Sequence, residues 1–306
     1  MRSHLVNRSP VSTRPLKFAL AIVIIIVILE VVGGLISNSL ALQGDAGHMF
    51  IDALALSLAL FAITIANKPA TATRTYGYHR AEILAALTNG VILILVSLYI
   101  FYEAYQRLIE PPEVQISLML PVAVIGLFAN IMMIIILRRS SQKNLNIKAA
   151  LWHIIGDTIS SLGVIIGGII ISFTKWYIVD SMIAIFVGLI ILYGAIKLVR
   201  ESTDILLESV PPNIQIDKVV LNVKDIPGVK EVHDIHIWTI TSGVNAMSAH
   251  LIIEDQKVSQ SGEIVDLVNR YLAEQYNITH TTLQLECEKC ESCPSGIICN
   301  INRLNT

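Results

Sequence analysis

The chain has 306 residues, of which 54% are hydrophobic and only 15% are charged, and its mean hydropathy is +0.64. This composition excludes an ordinary soluble protein and predicts an integral membrane protein. The formal net charge of −2 says little by itself, and we expect no nucleic-acid partner.

Long apolar runs recur along the first two thirds of the chain. Each approaches the roughly 20 residues that a helix needs to cross a bilayer. Six membrane-spanning helices are predicted, at about Phe18–Asn38, His48–Ala66, Ile83–Tyr102, Ser117–Leu137, Ala149–Phe173 and Ile178–Val199. The first run is longer than the core of a signal peptide, so we expect an uncleaved helix there.

Lysine and arginine are distributed unevenly over the connecting segments. The amino-terminal segment and two alternate loops hold four, three and four of them: Arg2, Arg8, Arg14, Lys17; Lys68, Arg74, Arg80; Arg138, Arg139, Lys143, Lys148. Of the other three connections, the first holds no lysine or arginine, the second holds only Arg107 and the third holds only Lys175. The positive-inside rule therefore places the basic loops and both ends of the chain in the cytoplasm.

The hydropathy falls after Arg200, and the Pro211-Pro212 pair introduces a segment that reads as a soluble domain. "VKEVHDIHIWTIT" and "NAMSAHLIIE" are typical of a β-hairpin, and "THTTLQLEC" is typical of a third strand. "IQIDKVVLNVKDI" and "SGEIVDLVNRYLAEQY" have helical patterns. The order α-β-β-α-β predicts a small open-faced sandwich, with helices on one side of a sheet.

These observations divide the chain into four parts. We expect a cytoplasmic amino-terminal segment (1–17), a six-helix transmembrane domain (18–200), a cytoplasmic α-β-β-α-β domain (201–286) and a cysteine-rich carboxyl-terminal tail (287–306). In the cytoplasmic loop between the second and third spans, Arg80 and Glu82 are expected to position the membrane domain against the soluble part. Asp204 and Glu208, after the sixth span, are candidates to pair with the basic groups of this loop.

Two of the predicted spans contain a histidine and an aspartate four residues apart. His48 and Asp52 lie in "GDAGHMFIDALAL", and His153 and Asp157 lie in "LWHIIGDTIS". Residues four apart share one face of a helix, so each span presents one imidazole and one carboxylate together.

Together the two pairs would supply two nitrogen and two oxygen ligands. This set suits tetrahedral Zn²⁺ and is tolerable for Co²⁺. Two ionised aspartates in a low-dielectric interior cost several kcal/mol apiece, whereas a single divalent cation makes the site neutral. Protons can neutralise the same groups when the metal leaves. The pattern therefore predicts a site that exchanges a divalent metal for protons.

The remaining polar groups and two other functions have different interpretations. Glu30, Asn89 and Asn130 also lie at membrane depth, and we interpret them as packing or hydration partners. A membrane metalloprotease needs the motif H-E-x-x-H, but residues 49 and 154 are methionine and isoleucine. A metal-sensing membrane protein without transport is the alternative function, although it would not need paired ligands at membrane depth.

The sequence resembles the cation diffusion facilitator family from about residue 15 to residue 286. In particular it resembles the zinc-transporting branch that includes the bacterial cobalt-zinc-cadmium resistance exporters. The segments that carry the resemblance are "DAGHMFIDALAL", "YGYHRAEILAALTNG", "NLNIKAALWHIIGDTISSLGVIIGG", "VHDIHIW", "SAHL" and "TLQLE".

This resemblance implies a fold and an activity. The fold is six transmembrane helices followed by a cytoplasmic α/β domain of ferredoxin-like, metallochaperone-like type. The activity is export of zinc, with cobalt or cadmium as further cargo, from the cytoplasm by a homodimer in exchange for protons. Only "RRSSQKNLNIK" stands where eukaryotic members carry histidine-rich insertions, which favours the inner membrane of a bacterium.

The resemblance also implies two sets of metal ligands. His48, Asp52, His153 and Asp157 fall on the positions of the transport site, in the combination associated with zinc. His233, His250 and Glu286 match cytoplasmic metal positions, which would form a regulatory Zn²⁺ site. His236 lies in the "HIW" signature, but strand alternation places it on the opposite face from His233, so we do not expect these two to bind one ion.

All four cysteines lie between Cys287 and Cys299. A reducing cytoplasm disfavours disulfides, so metal-binding thiolates are the preferred interpretation, with Cys287 and Cys290 as candidates to complete the regulatory site. The spacing after the third cysteine is five residues rather than the three of an iron-sulfur signature. The alternative is a tail that binds no metal.

Overall fold

The structure, a computed structural model, describes residues 14–50, 53, 65, 68, 70–138, 145–241 and 243–288. Inside the helices it describes side chains from residue 23 in the first, up to residue 135 in the fourth and from residue 155 in the fifth. The chain forms two compact units. One is Met1–Phe61 with Ala85–Val199, and the other is Ala62–Leu84 with Arg200–Thr306.

Helices fill the first two thirds of the chain. They are α1 (Arg14–Ser37), α2 (helical at 40–50 and at 53 and 65), α3 (Arg80–Ile109), α4 (Ile116–Arg138), α5 (Leu145–Thr174) and α6 (Ile178–Leu206). Four described segments are long and apolar enough to cross a membrane: Arg80–Ile109, Ile116–Ile135, Ile155–Thr174 and Ile178–Leu206. The predicted third to sixth spans coincide with these, and the first coincides with α1.

Large apolar side chains lie on the outer surfaces of these helices. Phe128, Phe186 and Tyr193 are 66%, 62% and 77% exposed. Small residues such as Ala104 and Ala184 are fully buried between helices. A helix that is apolar on its outer face as well as on its inner face is suited to a lipid environment, where close packing of small residues holds helices together.

The start of α2 differs from the prediction. The apolar run suggested a span beginning at His48, but the helix begins at residue 40. Ser39 is its N-cap, because the Leu42 N–H donates to Ser39 Oγ over 3.2 Å. The helix therefore extends eight residues further than hydropathy indicated and includes the polar segment around Asp45.

Asp180, in the first turn of α6, holds the start of α2. Its carboxylate accepts hydrogen bonds from Ser39 Oγ and from the Leu40 N–H, both at 2.6 Å, and from the Ala41 N–H at 3.4 Å. Asp180 is only 1% exposed. The first N–H groups of a helix have no partner within it, so a buried carboxylate from another helix satisfies them.

The second unit contains a three-stranded sheet. Its elements are α7 (Ile216–Lys224), β1 (Val229–Thr241), β2 (Val244–Ile253), α8 (Val258–Tyr276) and β3 (Ile278–Glu286). The strand order is β1-β2-β3, with β1 antiparallel to β2 and β2 parallel to β3. This confirms the predicted α-β-β-α-β order and the hairpin.

One face of the sheet packs on both helices. Val219 and Val223 from α7 and Val268 and Leu272 from α8 are fully buried against the sheet. The strand residues that meet them are Val229, Val232, Ile235, Ile237, Met247, Ala249, Leu251 and Ile253. The other face of the sheet therefore remains available for polar residues, and the histidines of β1 and β2 lie there.

We predict that Asp180→Ala destabilises the protein by about 3 kcal/mol, because buried donors left without an acceptor cost about 1–3 kcal/mol each. The expected observation is a lower midpoint of thermal unfolding in detergent. Asp204→Ala is the matched control, since Asp204 lies exposed on the same helix, and it should change stability by less than about 0.5 kcal/mol. Equal midpoints for the two variants would show that Asp180 does not hold α2.

Candidate metal sites

The described part of the membrane unit brings together one histidine and one aspartate of the predicted quartet. His48 Nε2 on α2 lies 3.3 Å from Asp157 Oδ1 on α5, and their side chains are 19% and 9% exposed. The two helices are thus in direct contact through groups that both bind divalent metals. The contact joins one member of each predicted His-Asp pair.

The other two predicted ligands are not described at the side-chain level. Asp52 lies outside the described residues. His153 lies within α5, but its side chain is outside the described part of that helix. Because α5 is helical from Leu145 to Thr174, positions 153 and 157 lie on the same face.

Asp45 is a buried carboxylate beside this pair that the sequence analysis did not single out. It is 1% exposed and accepts hydrogen bonds from Ser160 Oγ at 2.8 Å and Ser161 Oγ at 2.9 Å, both on α5. It lies three residues before His48, a spacing that puts both on one face of α2. That spacing, just before the predicted start of the second span, was the available signal.

Two further polar side chains extend this polar region to α1 and α4. Glu30 and Asn130 are both 0% exposed. Asn130 Nδ2 donates to Ser161 Oγ over 3.5 Å, and Ser161 in turn donates to Asp45. Glu30 interacts electrostatically with Asp45 and Asp157. The membrane unit therefore contains a buried polar cluster contributed by α1, α2, α4 and α5.

Space for Glu30 is made by a glycine of α4. A methyl group built on Gly126 would overlap the Glu30 carboxyl, with Oε1 as the atom it meets first. Gly163, on α5, has no heavy atom within 4 Å of the corresponding position. The absence of a side chain at Gly126 is therefore what admits the acid between α1 and α4.

The second unit contains a cluster of three potential ligands. His233 on β1, His250 on β2 and Glu286 at the end of β3 each place a ligand atom within 4.8 Å of the others. His233 and His250 are cross-strand partners, with ring centroids 5.2 Å apart. His250 Nδ1 lies 2.8 Å from Glu286 Oε1, and His233 Nε2 lies 3.2 Å from Glu286 Oε2.

The lack of hydrogen bonds at several of these atoms favours a shared ligand over a hydrogen-bonded network. Despite the short distances, His233 Nδ1 and Nε2, His250 Nδ1 and Glu286 Oε2 are buried without a hydrogen bond of acceptable geometry to any described residue. Buried polar atoms are almost always hydrogen-bonded, so such exceptions need an explanation. Two imidazoles and a carboxylate that converge in this way fit a divalent cation such as Zn²⁺.

The prediction that His233 and His236 lie on opposite faces of the sheet is wrong. His233 pairs with His250 and His236 pairs with Ser248, and residues 248 and 250 share one face of β2. The register shift between them is a β-bulge at Asp234, whose φ is +47°. The extra residue in the bulge cancels the alternation and turns both histidines to the same face.

The bulge also places Asp234 between histidines. Its Oδ1 lies 3.2 Å from His236 Nε2, and its Oδ2 lies 3.7 Å from His250 Nε2. His236 is not among the three residues whose ligand atoms converge, and its side chain is 43% exposed. Asp234 therefore links His236 to the cluster without bringing it into the ligand set.

The cysteine candidates are only partly described. Cys287 is exposed, and its Sγ lies 3.8 Å from Asp255 Oδ1, so it is not part of the cluster. Cys290 and the two later cysteines lie outside the described residues.

The first turn of α3 contacts other parts of the second unit. Arg80 Nη2 donates to Glu208 Oε1 over 2.7 Å, which confirms the expected pairing of Glu208 with a basic group of the loop between the second and third spans. Thr241 Oγ1, at the end of β1, donates to Glu82 Oε2 over 2.7 Å. The first turn of α3 is therefore attached both to the end of α6 and to the strand that carries His233.

Comparisons with known proteins follow the same division of the chain. A family model described as the cation efflux transmembrane domain matches residues 16–207. A second model, described as the cation efflux protein cytoplasmic domain, matches residues 211–288.

Three relatives match nearly the whole chain. The chain is 43% identical to the metal cation efflux system protein CzcD of Cupriavidus metallidurans, over 91% of this chain and 88% of the relative. It is 41% identical to a cadmium, cobalt and zinc/H(+)-K(+) antiporter of Bacillus subtilis, over 85% of each. It is 35% identical to the zinc transporter ZitB of Escherichia coli, over 95% and 91%.

One solved structure matches the carboxyl-terminal part. It is the metal-bound C-terminal domain of the CzcD transporter from Cupriavidus metallidurans, 34% identical to this chain. The match covers 24% of this chain and 99% of that domain, with a TM-score of 0.22.

We predict that Gly126→Ala destabilises the membrane unit by about 1–3 kcal/mol, because the added methyl group overlaps the Glu30 carboxyl and overpacking costs about that much. Gly163→Ala should be neutral or slightly stabilising, since the methyl group meets open space and alanine favours helix. Thermal unfolding in detergent measures both variants. Combining Gly126→Ala with Glu30→Ala should restore most of the lost stability, and a lack of restoration would refute the proposed overlap.

Proposed function

Because the chain belongs to the cation efflux family, it is a transporter and not an enzyme, and we propose that it exports Zn²⁺ from the cytoplasm in exchange for protons. Cobalt and cadmium are the further substrates to test. The names of its relatives refer to efflux of metal cations, to zinc, and to antiport of cadmium, cobalt and zinc.

The contact between His48 and Asp157 carries this proposal. It joins an imidazole of α2 to a carboxylate of α5 at 3.3 Å, within the helical unit of the chain. With Asp52 and His153 the set becomes two nitrogens and two oxygens, a tetrahedral site that a divalent cation neutralises. Soft ligands are not part of this set, which favours zinc over metals that select thiolate.

Energetics favour coupling to protons. Moving one charge against the membrane potential costs about 2.3 kcal/mol per 100 mV, so expelling a divalent cation from a negative interior costs about twice that. Inward movement of protons can supply this free energy. Histidine titrates in the physiological range, so His48 and His153 can take up protons from the outer side as the metal leaves.

A second Zn²⁺ site is proposed in the cytoplasmic domain. His233, His250 and Glu286 would bind the ion, which the unpartnered ring nitrogens of His233 support. Cys287 and Cys290 would join only if the tail folds back over the sheet, and His236 would act from outside the ligand set through Asp234. We expect this site to be regulatory; on the same sheet, Thr241 donates to Glu82.

The protein is expected to act as a homodimer in the inner membrane of a bacterium, with both termini in the cytoplasm. The family name of the matching cytoplasmic domain refers to dimers. The distribution of lysine and arginine supports the orientation.

We predict that inverted membrane vesicles containing the protein take up Zn²⁺ when their lumen is acidified, and that an ionophore that collapses the pH gradient stops the uptake. Asp157→Ala should lower the initial rate to below about a tenth, because even outer ligand-supporting residues change metal affinity by about 10–100-fold. Asp266→Ala, which changes an exposed residue of α8, is the control and should transport normally.

Two results would contradict this function. Uptake that persists in Asp157→Ala would remove Asp157 from the transport site. A wild-type protein that binds zinc but moves none, at any pH gradient, would instead support the metal-sensing alternative.

We predict that Glu286→Ala, made in the Asp157→Ala background, lowers the number of zinc ions bound per chain by one. Removing one of three convergent ligands should abolish the cytoplasmic site, and equilibrium dialysis of the purified protein measures the count. Glu274→Ala, an exposed glutamate of α8, is the control. An unchanged count in the Glu286 variant would refute this ligand set.

A further inference from the structure

Glu30 is a membrane-buried acid that the proposed metal ligands do not include. Its side chain is 0% exposed in α1, and neither carboxyl oxygen has a hydrogen-bond partner among the described residues. An ionised carboxylate without donors is strongly unfavourable in such a place. The acid therefore needs either a proton or a nearby positive charge.

The surroundings of Glu30 are arranged to keep this acid. Gly126 on α4 leaves the space that the carboxyl occupies, and a methyl group there would displace it. Asn130, one turn further along α4, is also 0% exposed, and its Oδ1 has no described partner. Polar residues thus lie between α1 and α4, where packing alone would require only apolar side chains.

The charged groups around Glu30 connect it to the transport pair. Negative charges on Asp45 of α2 and Asp157 of α5 repel a negative charge on Glu30, whereas a positive charge on His48 attracts the carboxylate of Asp45. The described part of α4 near Gly126 contributes the neutral Asn130. Asp45 receives hydrogen bonds from Ser160 and Ser161, so donors stabilise its charge, whereas no described residue donates to Glu30.

We propose that Glu30 is a proton-binding site of the exchanger, separate from the metal ligands. A cation held by Asp157 reduces the negative potential at Glu30 and favours release of its proton. When the cation leaves, the negative potential of Asp45 and Asp157 returns and Glu30 binds a proton again. Metal and proton thus exclude each other through charge, without competing for the same atom. This inference rests on the proposed exchange of zinc for protons.

The test compares wild type with Glu30→Gln, which keeps the shape of the side chain and cannot titrate. Purified full-length protein in detergent is titrated with Zn²⁺ in a calorimeter, in two buffers of different ionisation enthalpy. The difference between the two heats of binding gives the number of protons released per zinc bound. We expect the variant to release about one proton fewer, while its zinc affinity changes by less than about threefold. Glu113→Gln, an exposed glutamate between α3 and α4, is the matched control.

A second measurement needs no variant. The infrared difference spectrum of the wild type on addition of Zn²⁺ should show loss of a protonated carboxyl band. In vesicles, the stimulation of transport by a pH gradient should be at least about tenfold smaller in Glu30→Gln than in the wild type. Glu30→Asp should recover much of this stimulation.

The outcomes separate the possibilities. Unchanged proton release in Glu30→Gln, or a wild-type spectrum in which zinc removes no protonated carboxyl band, overturns the proposal. Loss of one bound zinc in Glu30→Gln also overturns it, because Glu30 would then be a ligand. If the wild type itself exchanges no protons for zinc, the proposed function fails rather than the assignment of Glu30 alone.

Discussion

Polar groups inside a lipid-facing helix bundle must find partners within the chain, and this requirement organises the membrane unit. Asp180 of α6 satisfies the first N–H groups of α2. Asp45 of α2 receives two serine hydroxyls of α5, and His48 meets Asp157 across the same two helices. Each of these contacts joins two different helices. The position and register of α2, which carries His48, therefore follow from polar contacts at its start and at its middle.

The two candidate metal sites meet this requirement in different ways. In the membrane, His48 and Asp157 contact each other, since an isolated charge there is unfavourable. On the sheet, the ligand atoms of His233 and Glu286 lie close together, but several make no hydrogen bond to a described residue.

Much of the fold could be predicted because it depends on local periodicity. Alternation over Val229–Thr241 predicts β1 with its observed bounds, and apolar runs predict the spans that coincide with α3 to α6. The start of α2 was missed, because hydropathy does not mark the Ser39 cap and because Asp180, which accepts from the Leu40 N–H, lies 140 residues away in the chain. The common face of His233 and His236 was missed because the bulge at Asp234 has a positive φ, and the sequence has no glycine there to indicate it.

The site was predictable where a pattern is repeated and obscure where it is not. The spacing of histidine and aspartate occurs twice, which separates it from chance, whereas Asp45 and Glu30 belong to no repeated pattern. Their burial, and the hydrogen bonds that Asp45 receives from Ser160 and Ser161, are defined only by the folded chain. If a proton could bind only at the metal ligands, metal and proton would compete for the same lone pairs. An acid at Glu30 adds a second form of exclusion that acts through charge, and it requires the close approach of α1 to α4 that Gly126 permits.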